Sequence, residues 1–242
     1  GSSGRIGVLD ASEIPPTFGA PTHLVQGVIA GGATALRRSV EGAEDEESAG
    51  ALAVDERGVT GADVVIGITA SGRTPFVLGA LAQAHSLGAK TMLLTCNPNC
   101  SHRPMAGSSH GPQDRGYSDF DLVIALPVGP EILTGSTRLK AGTATKVALN
   151  IISTGAMIAL GKVRGNLMVD LHTTSTKLRD RAVRVLAELT QRDYESARGL
   201  LEANEWNLRT ALEKLYKFSF WMSALEVARA MIRTTYLIGT NL

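Results

Sequence analysis

The sequence predicts an α/β protein: a doubly wound, mostly parallel sheet flanked by helices, with a small helical unit toward the C-terminus. Three observations predict it. Residues 63–69, Asp63-Val64-Val65-Ile66-Gly67-Ile68-Thr69, form a β-branched run continuous enough for a strand buried on both faces. That run passes through Ala70-Ser71-Gly72-Arg73-Thr74 into a helical pattern opening on Pro75, a residue favoured in the first turn. Further apolar strands at 90–96 and 120–126 alternate with helical stretches, the order of a parallel sheet.

Bulk properties narrow the function. A chain of 242 residues with 44% hydrophobic content can bury a substantial core. Lys and Arg total 24 against 23 Asp and Glu, so there is no broad attraction for nucleic acid or an anionic membrane. Any phosphate recognition must be local. Aromatic residues make up only 5%, too few for the stacking platforms of single-strand binders. Cys96 and Cys100 lack a second pair to complete a zinc site, and they read as reduced thiols with no metal. The longest apolar stretch, 147–160, is broken by Asn150, Ser153, Thr154 and Gly155, and the first residues carry no hydrophobic signal region. A soluble, cytoplasmic protein is expected.

Taken in order, residues 23–40 carry apolar positions at Leu24, Val25, Val28, Ile29, Leu36 and Val40, which reads as an amphipathic helix weakened by Gly31 and Gly32. A short helix should follow the acidic run 44–47. Residues 100–118, rich in Ser, His, Pro and Gly, read as a surface insertion, with His102 and His110 poor ligand candidates. From Thr143, the residues Ala144, Val147, Ala148, Ile151 and Ile152 follow a helical stripe that should pack on the sheet and end near Gly161. A helix at 174–189 and two short ones within 193–215, parted near Asn204, come next. A final helix at 218–232 precedes a strand-like stretch at 234–238.

Two places suit a phosphate. In Thr69-Ala70-Ser71-Gly72-Arg73-Thr74 the strand-to-helix turn should aim backbone N–H groups and hydroxyls outward at a helix N-terminus, and Gly72 allows close approach. The same spacing also fits an ordinary capped turn. The stretch 134–143 places Arg138 and Lys140 before the long helix, and equally reads as an N-cap with a solvated basic turn. Ser2-Ser3-Gly4-Arg5 would be a third such loop if a strand preceded it. Among carboxylates, Glu13 precedes Pro15-Pro16, a pair expected to hold an extended path, while Glu44 belongs to an acidic cluster whose plain reading is a solvated helix start. His172 reads as a structural histidine.

Longer strings carry a resemblance. Ser3-Gly4-Arg5-Ile6-Gly7-Val8-Leu9-Asp10-Ala11-Ser12-Glu13, Glu41-Gly42-Ala43-Glu44-Asp45, Ile68-Thr69-Ala70-Ser71-Gly72-Arg73-Thr74-Pro75 and Gly129-Pro130-Glu131-Ile132-Leu133-Thr134-Gly135-Ser136-Thr137-Arg138-Leu139-Lys140 resemble the N-acetylmuramic acid 6-phosphate etherases, over roughly residues 2–215. The resemblance implies a sugar isomerase (SIS) fold, a homodimer, and cleavage of the D-lactyl ether of N-acetylmuramic acid 6-phosphate without metal or nucleotide cofactor. It implies catalytic roles for Glu13 and Glu44 and phosphate binding by Ser71, Gly72 and Thr74, with Ser3 and Gly4 in the same pocket and Lys140 as a cation near sugar or phosphate. Residues 1–190 are then the phosphosugar-binding domain, 191–217 a small helical unit similar to ubiquitin-associated domains, and 218–242 an unmatched tail. The tail reads helix then strand, the order the family pattern places before its Ser-Gly-Arg loop. It fits a reordered part of the sheet, an extra helix over the core, or an assembly surface built on Phe218, Phe220, Trp221 and Met222. The glucokinase regulatory protein resembles the etherases in the same loops, so a non-catalytic phosphosugar sensor is the alternative function.

Overall fold

The computed structural model describes residues 1–99, 120–216 and 235–239. It contains the expected parallel sheet, with strand order β1-β7-β2-β3-β4, from Val25–Ile29 (β1), Thr235–Gly239 (β7), Val64–Ile68 (β2), Lys90–Thr95 (β3) and Leu122–Ala125 (β4). Every neighbouring pair is parallel. The expected strand near the end of the chain is present as β7, and it lies between β1 and β2. Leu237 is in register with Gly27 on one side and Ile66 on the other. The insertion at 100–118 and the helix expected at 218–232 lie outside the described residues.

The described residues fall into two compact units. One comprises Gly1–Ser12, His23–Ile151 and the C-terminal strand; the other comprises Glu13–Thr22 and residues from Ile152 through the last described helix. In the first unit, helices Gly32–Arg37 (α2), Glu47–Asp55 (α3) and Pro75–Ser86 (α4) accompany the sheet. Val65, Val77, Ala80, Leu81, Ala84 and Leu93 are fully buried together between α4 and the strands. β2 is buried along nearly its whole length, as its unbroken apolar run requires. α3 and α4 meet through glycines. A Cβ on Gly50 would lie 1.9 Å from the Phe76 carbonyl oxygen, and one on Gly79 would lie 2.1 Å from that of Glu47.

Four local expectations are corrected. Residues 23–40 form β1, a turn and α2 rather than one helix. Val25, Val28 and Ile29 favour a strand, and Gly31 and Gly32 adopt φ of 80° and 63°, which no helix interior allows. Ser2–Arg5 is not a loop but the first turn of a helix, Ser2–Phe18 (α1), opened by the Arg5 N–H donating to the Gly1 carbonyl at 3.0 Å. That helix also runs through Pro15 and Pro16, where an extended path was expected. The prolines occupy its last turn, so only two backbone bonds are forfeited, and burial of Ala11, Ile14 and Phe18 on one face holds the helix.

The fourth correction concerns the long helix, Lys140–Ala159 (α5). Its buried positions are Ala141, Gly142, Thr145, Leu149 and Met157, whereas Val147 and Ile151 are 51% and 67% exposed. The helix carries apolar residues on more than one side, and periodicity alone cannot choose among them. Its end is as expected: Gly161 at φ 69° lets the Lys162 N–H reach the Met157 carbonyl at 2.9 Å.

The second unit holds a short antiparallel hairpin, Val163–Arg164 (β5) with Leu167–Met168 (β6), and helices Thr176–Thr190 (α6), Tyr194–Glu202 (α7) and Leu208–Tyr216 (α8). Ser175 and Asp193 cap α6 and α7 with their side chains. Val183, Leu186, Ala197, Leu201, Leu208 and Leu212 form its core. Asp170 is flanked by two cations: Lys162 donates at 2.7 Å, Arg209 pairs with its other oxygen, and Arg209 also reaches the Gly161 carbonyl at 2.7 Å. Among the described residues no helix is long and apolar enough to cross a membrane.

Candidate active site

In an open parallel sheet, ligands bind in the crevice beyond the carboxyl ends of the strands. Here the register aligns Ile29 with Gly239, Gly239 with Ile68, and Thr95 with Ala125 at that edge. The loops leaving it are Ala30–Gly32, 69–74 and 96–99.

The 69–74 loop is held from within by hydroxyls. Thr69 Oγ1 lies 2.7 Å from Thr74 Oγ1 and 3.3 Å from Ser71 Oγ. Thr69 is fully buried and Thr74 nearly so, which leaves Ser71 as the hydroxyl that reaches the surface. The Gly72 N–H closes the turn onto the Thr69 carbonyl at 3.3 Å with Gly72 at φ 74°, a conformation only glycine adopts without strain. Ser71 Oγ also accepts the Arg73 N–H at 3.2 Å.

The expectation that the first turn of α4 itself presents free N–H groups needs correction. Pro75 has none, the Phe76 N–H donates to the Glu44 carbonyl at 3.0 Å, and those of Val77 and Leu78 both donate to the Thr74 carbonyl at 3.1 Å. An anion here would meet the loop and its serine, with the α4 dipole behind them. The bond from Phe76 also fixes Glu44, which is half-buried at the start of α4 rather than solvated within its acidic run.

The start of α1 faces the same carboxylate. Burial, then Arg5, hold the Gly1 amino group below its ordinary value, while Glu44 pulls the other way. Ser3 and Gly4 are buried in this first turn. Arg5 donates Nε to the Ala35 carbonyl at 3.0 Å, and a Cβ on Gly27 would lie 2.6 Å from Val8 Cα, so α1 lies directly against β1. Glu13 is an exposed residue of α1 in the part assigned to the second unit.

Lys140 opens α5, but its ammonium donates to the Val128 carbonyl at 2.9 Å. Glu131, quoted in the sequence motif but given no role there, accepts the backbone N–H of Ala141 at 2.9 Å and of Lys140 at 3.0 Å, and these bonds hold its carboxyl below the usual range. Cys96 follows β3, with Sγ 3.8 Å from Thr145 Oγ1, and burial pushes its thiol up. Beside it stands Asn97, which sequence reasoning passed over. Its signal was a polar residue just past the carboxyl end of a strand. His172 is exposed at the rim of a polar cavity of the second unit, lined by Lys162, Asp170, Trp206 and Arg209.

The family model of the glucokinase regulatory protein N-terminal SIS domain matches residues 1–85. The N-acetylmuramic acid 6-phosphate etherase of Gloeobacter violaceus is 53% identical over 212 residues, covering 88% of this chain and 65% of the relative. That of Synechocystis is 52% identical over the same length, again covering 88% and 65%. That of Symbiobacterium thermophilum is 50% identical over 215 residues, covering 89% of this chain and 67% of the relative. The chain thus spans about two thirds of the length of these curated relatives. With half of its residues shared along nearly all of its length, the chain belongs to the N-acetylmuramic acid 6-phosphate etherase family.

Proposed function

We propose that this chain is a carbon–oxygen lyase that takes N-acetylmuramic acid 6-phosphate and water to N-acetylglucosamine 6-phosphate and D-lactate. The observation that carries the reading is the Glu44 backbone bound to the first turn of α4, at the edge of a hydroxyl-rich loop shaped for a phosphomonoester. In the ring-opened sugar the C2 proton is acidified by the C1 aldehyde, and a general base removes it. The electron pair forms the C2–C3 double bond as the C3–oxygen bond breaks and lactate leaves with a proton from an acid. Water then adds at C3, and C2 regains a proton. One carboxylate and one carboxylic acid suffice, and no metal or nucleotide is required.

In this reading Glu13 is the principal proton donor and Glu44 the second catalytic carboxylate. Ser71, Gly72 and Thr74, with Ser3 and Gly4, receive the phosphate, and Lys140 supplies a cation near it once released from the Val128 carbonyl. Residues 1–190 act as the phosphosugar domain and 191–217 as a structural helical unit. The enzyme works as a cytoplasmic homodimer in amino sugar catabolism.

The test is incubation with N-acetylmuramic acid 6-phosphate and assay of D-lactate. Release by the wild type, reduced about a hundredfold or more in Glu13→Ala, is expected. The match of residues 1–85 to a regulatory protein's domain supports one alternative, a sensor that binds phosphosugar without turnover. Tight binding with no lactate from folded protein would establish that reading and reject the etherase.

A further inference from the structure

We propose that Asn97 is a positioning residue that holds the phosphate-binding turn open for its ligand. The inference rests on the phosphosugar reading above and deepens it. Asn97 follows β3 and reaches across to the neighbouring loop, where its Nδ2 donates to the Ser71 carbonyl at 3.1 Å. The amide orientation is determined by a second bond, because Oδ1 accepts the Asn99 N–H at 3.0 Å and leaves the NH2 end facing Ser71. The Asn97 N–H itself donates to Thr95 Oγ1 at 3.2 Å, which anchors the residue to the strand.

The neighbouring peptide is held the same way. The Ala70 carbonyl accepts the Cys96 N–H at 3.1 Å and the Thr95 hydroxyl at 3.2 Å. Two successive carbonyls of the loop therefore point down onto the end of β3. A trans peptide turns its C=O and N–H in opposite directions. Tying the Ser71 carbonyl to Asn97 thus directs the Gly72 N–H toward Thr69 and sets Gly72 at φ 74°. It also leaves Ser71 Oγ where it meets Thr69 Oγ1 and the Arg73 N–H. Released from Asn97, the Ser71–Gly72 peptide can flip, because glycine tolerates either sign of φ. The serine hydroxyl and the following amides would then no longer converge on one phosphate.

The experiment measures binding of N-acetylglucosamine 6-phosphate, which is not turned over, and of unphosphorylated N-acetylglucosamine. Asn97→Asp keeps the acceptor for Asn99 and removes the donor to Ser71, while Asn97→Ser shortens the side chain so that its hydroxyl no longer reaches the Ser71 carbonyl, without adding charge. Both are expected to weaken the phosphorylated ligand about tenfold, the size of one lost hydrogen bond, and to leave the neutral sugar unchanged. In a double-mutant cycle, Asn97→Ser should cost less in a Ser71→Ala background, because the part of its effect that runs through the Ser71 hydroxyl is already gone while the part carried by the backbone amides remains. Unchanged phosphosugar affinity in a folded variant, equal losses for both sugars, or additive effects in the cycle would overturn the inference alone. A folded wild type that binds no phosphosugar would overturn the phosphosugar reading and this inference together.

Discussion

The Phe76 N–H donates to the Glu44 carbonyl at 3.0 Å, joining an acidic surface turn to the first turn of a buried helix. The bond uses the backbone of Glu44 and leaves its carboxylate for other work. Replacing that side chain should therefore separate chemistry from stability. Glu44→Gln is expected to lower D-lactate release at least about a hundredfold while the unfolding midpoint stays within error of wild type. Kinetic assay beside chemical denaturation checks both halves.

The same bond depends on how closely α3 approaches α4. Gly79→Ala would place a methyl against the Glu47 carbonyl, and neither helix backbone can yield without moving the other. A loss of about 1–3 kcal/mol is expected from overpacking. Lactate release should fall further than the lost stability explains, because the displaced α3 carries Glu44 with it. Denaturant titration and kcat on the remaining folded protein measure the two effects.

At the opposite edge of the sheet, Asp121 accepts Lys90 Nζ at 2.6 Å and the Thr91 N–H at 2.8 Å, and these bonds hold its carboxyl at about 2. The folded value lies below the unfolded one. The contribution is therefore fully present above about pH 4 and is lost as pH falls toward 2. The pair is open to solvent, which limits the effect to about 1 kcal/mol or less. Asp121→Asn should be less stable than wild type at neutral pH, with the difference closing across that window in urea titrations.

In the second unit, Asp170 holds Lys162 and Arg209 together. Asp170→Ala leaves two partly buried cations facing one another without their carboxylate. A cost of about 1–3 kcal/mol is expected, less than for a fully buried pair because both cations retain some access to water. Hydrogen exchange should show α8 loosening before the sheet does.

Strand β7 is paired on both sides, so a proline within it cannot be accommodated as at a sheet edge. Leu237→Pro removes a ladder donor from the middle of the sheet and should cost about 3 kcal/mol or more. Far-ultraviolet circular dichroism and soluble yield report the outcome. A variant as stable as wild type would contradict the placement of this strand.

Much of this fold could be read locally. The buried run before Ser71, Pro75 at the head of α4, the caps at Ser175 and Asp193, and the glycine ending α5 are each decided by neighbours a few residues away. Errors arose where a local pattern was compatible with two structures. Apolar spacing at 23–40 fits a helix until the positive φ of Gly31 and Gly32 is known, and Pro15 and Pro16 stay within α1 because burial of Ala11, Ile14 and Phe18 outweighs the two bonds they forfeit. On α5 the apolar stripe is half-buried at Ala144, Ala148 and Ile152 and exposed at Val147 and Ile151, because periodicity counts apolar positions without saying which of them meets a partner.

What the sequence by itself determined is the family motifs, the Ser71–Thr74 turn and the alternation of strands and helices; the glutamates at 13 and 44 it only nominates. Tertiary structure alone decided that the last strand lies between β1 and β2, that Glu44 is tied to Phe76, and that Asn97 holds Ser71. The physical reason is distance along the chain. Each of these is a hydrogen-bonded pairing between residues separated by 26 positions or more, formed only after the core has brought their strands and helices together.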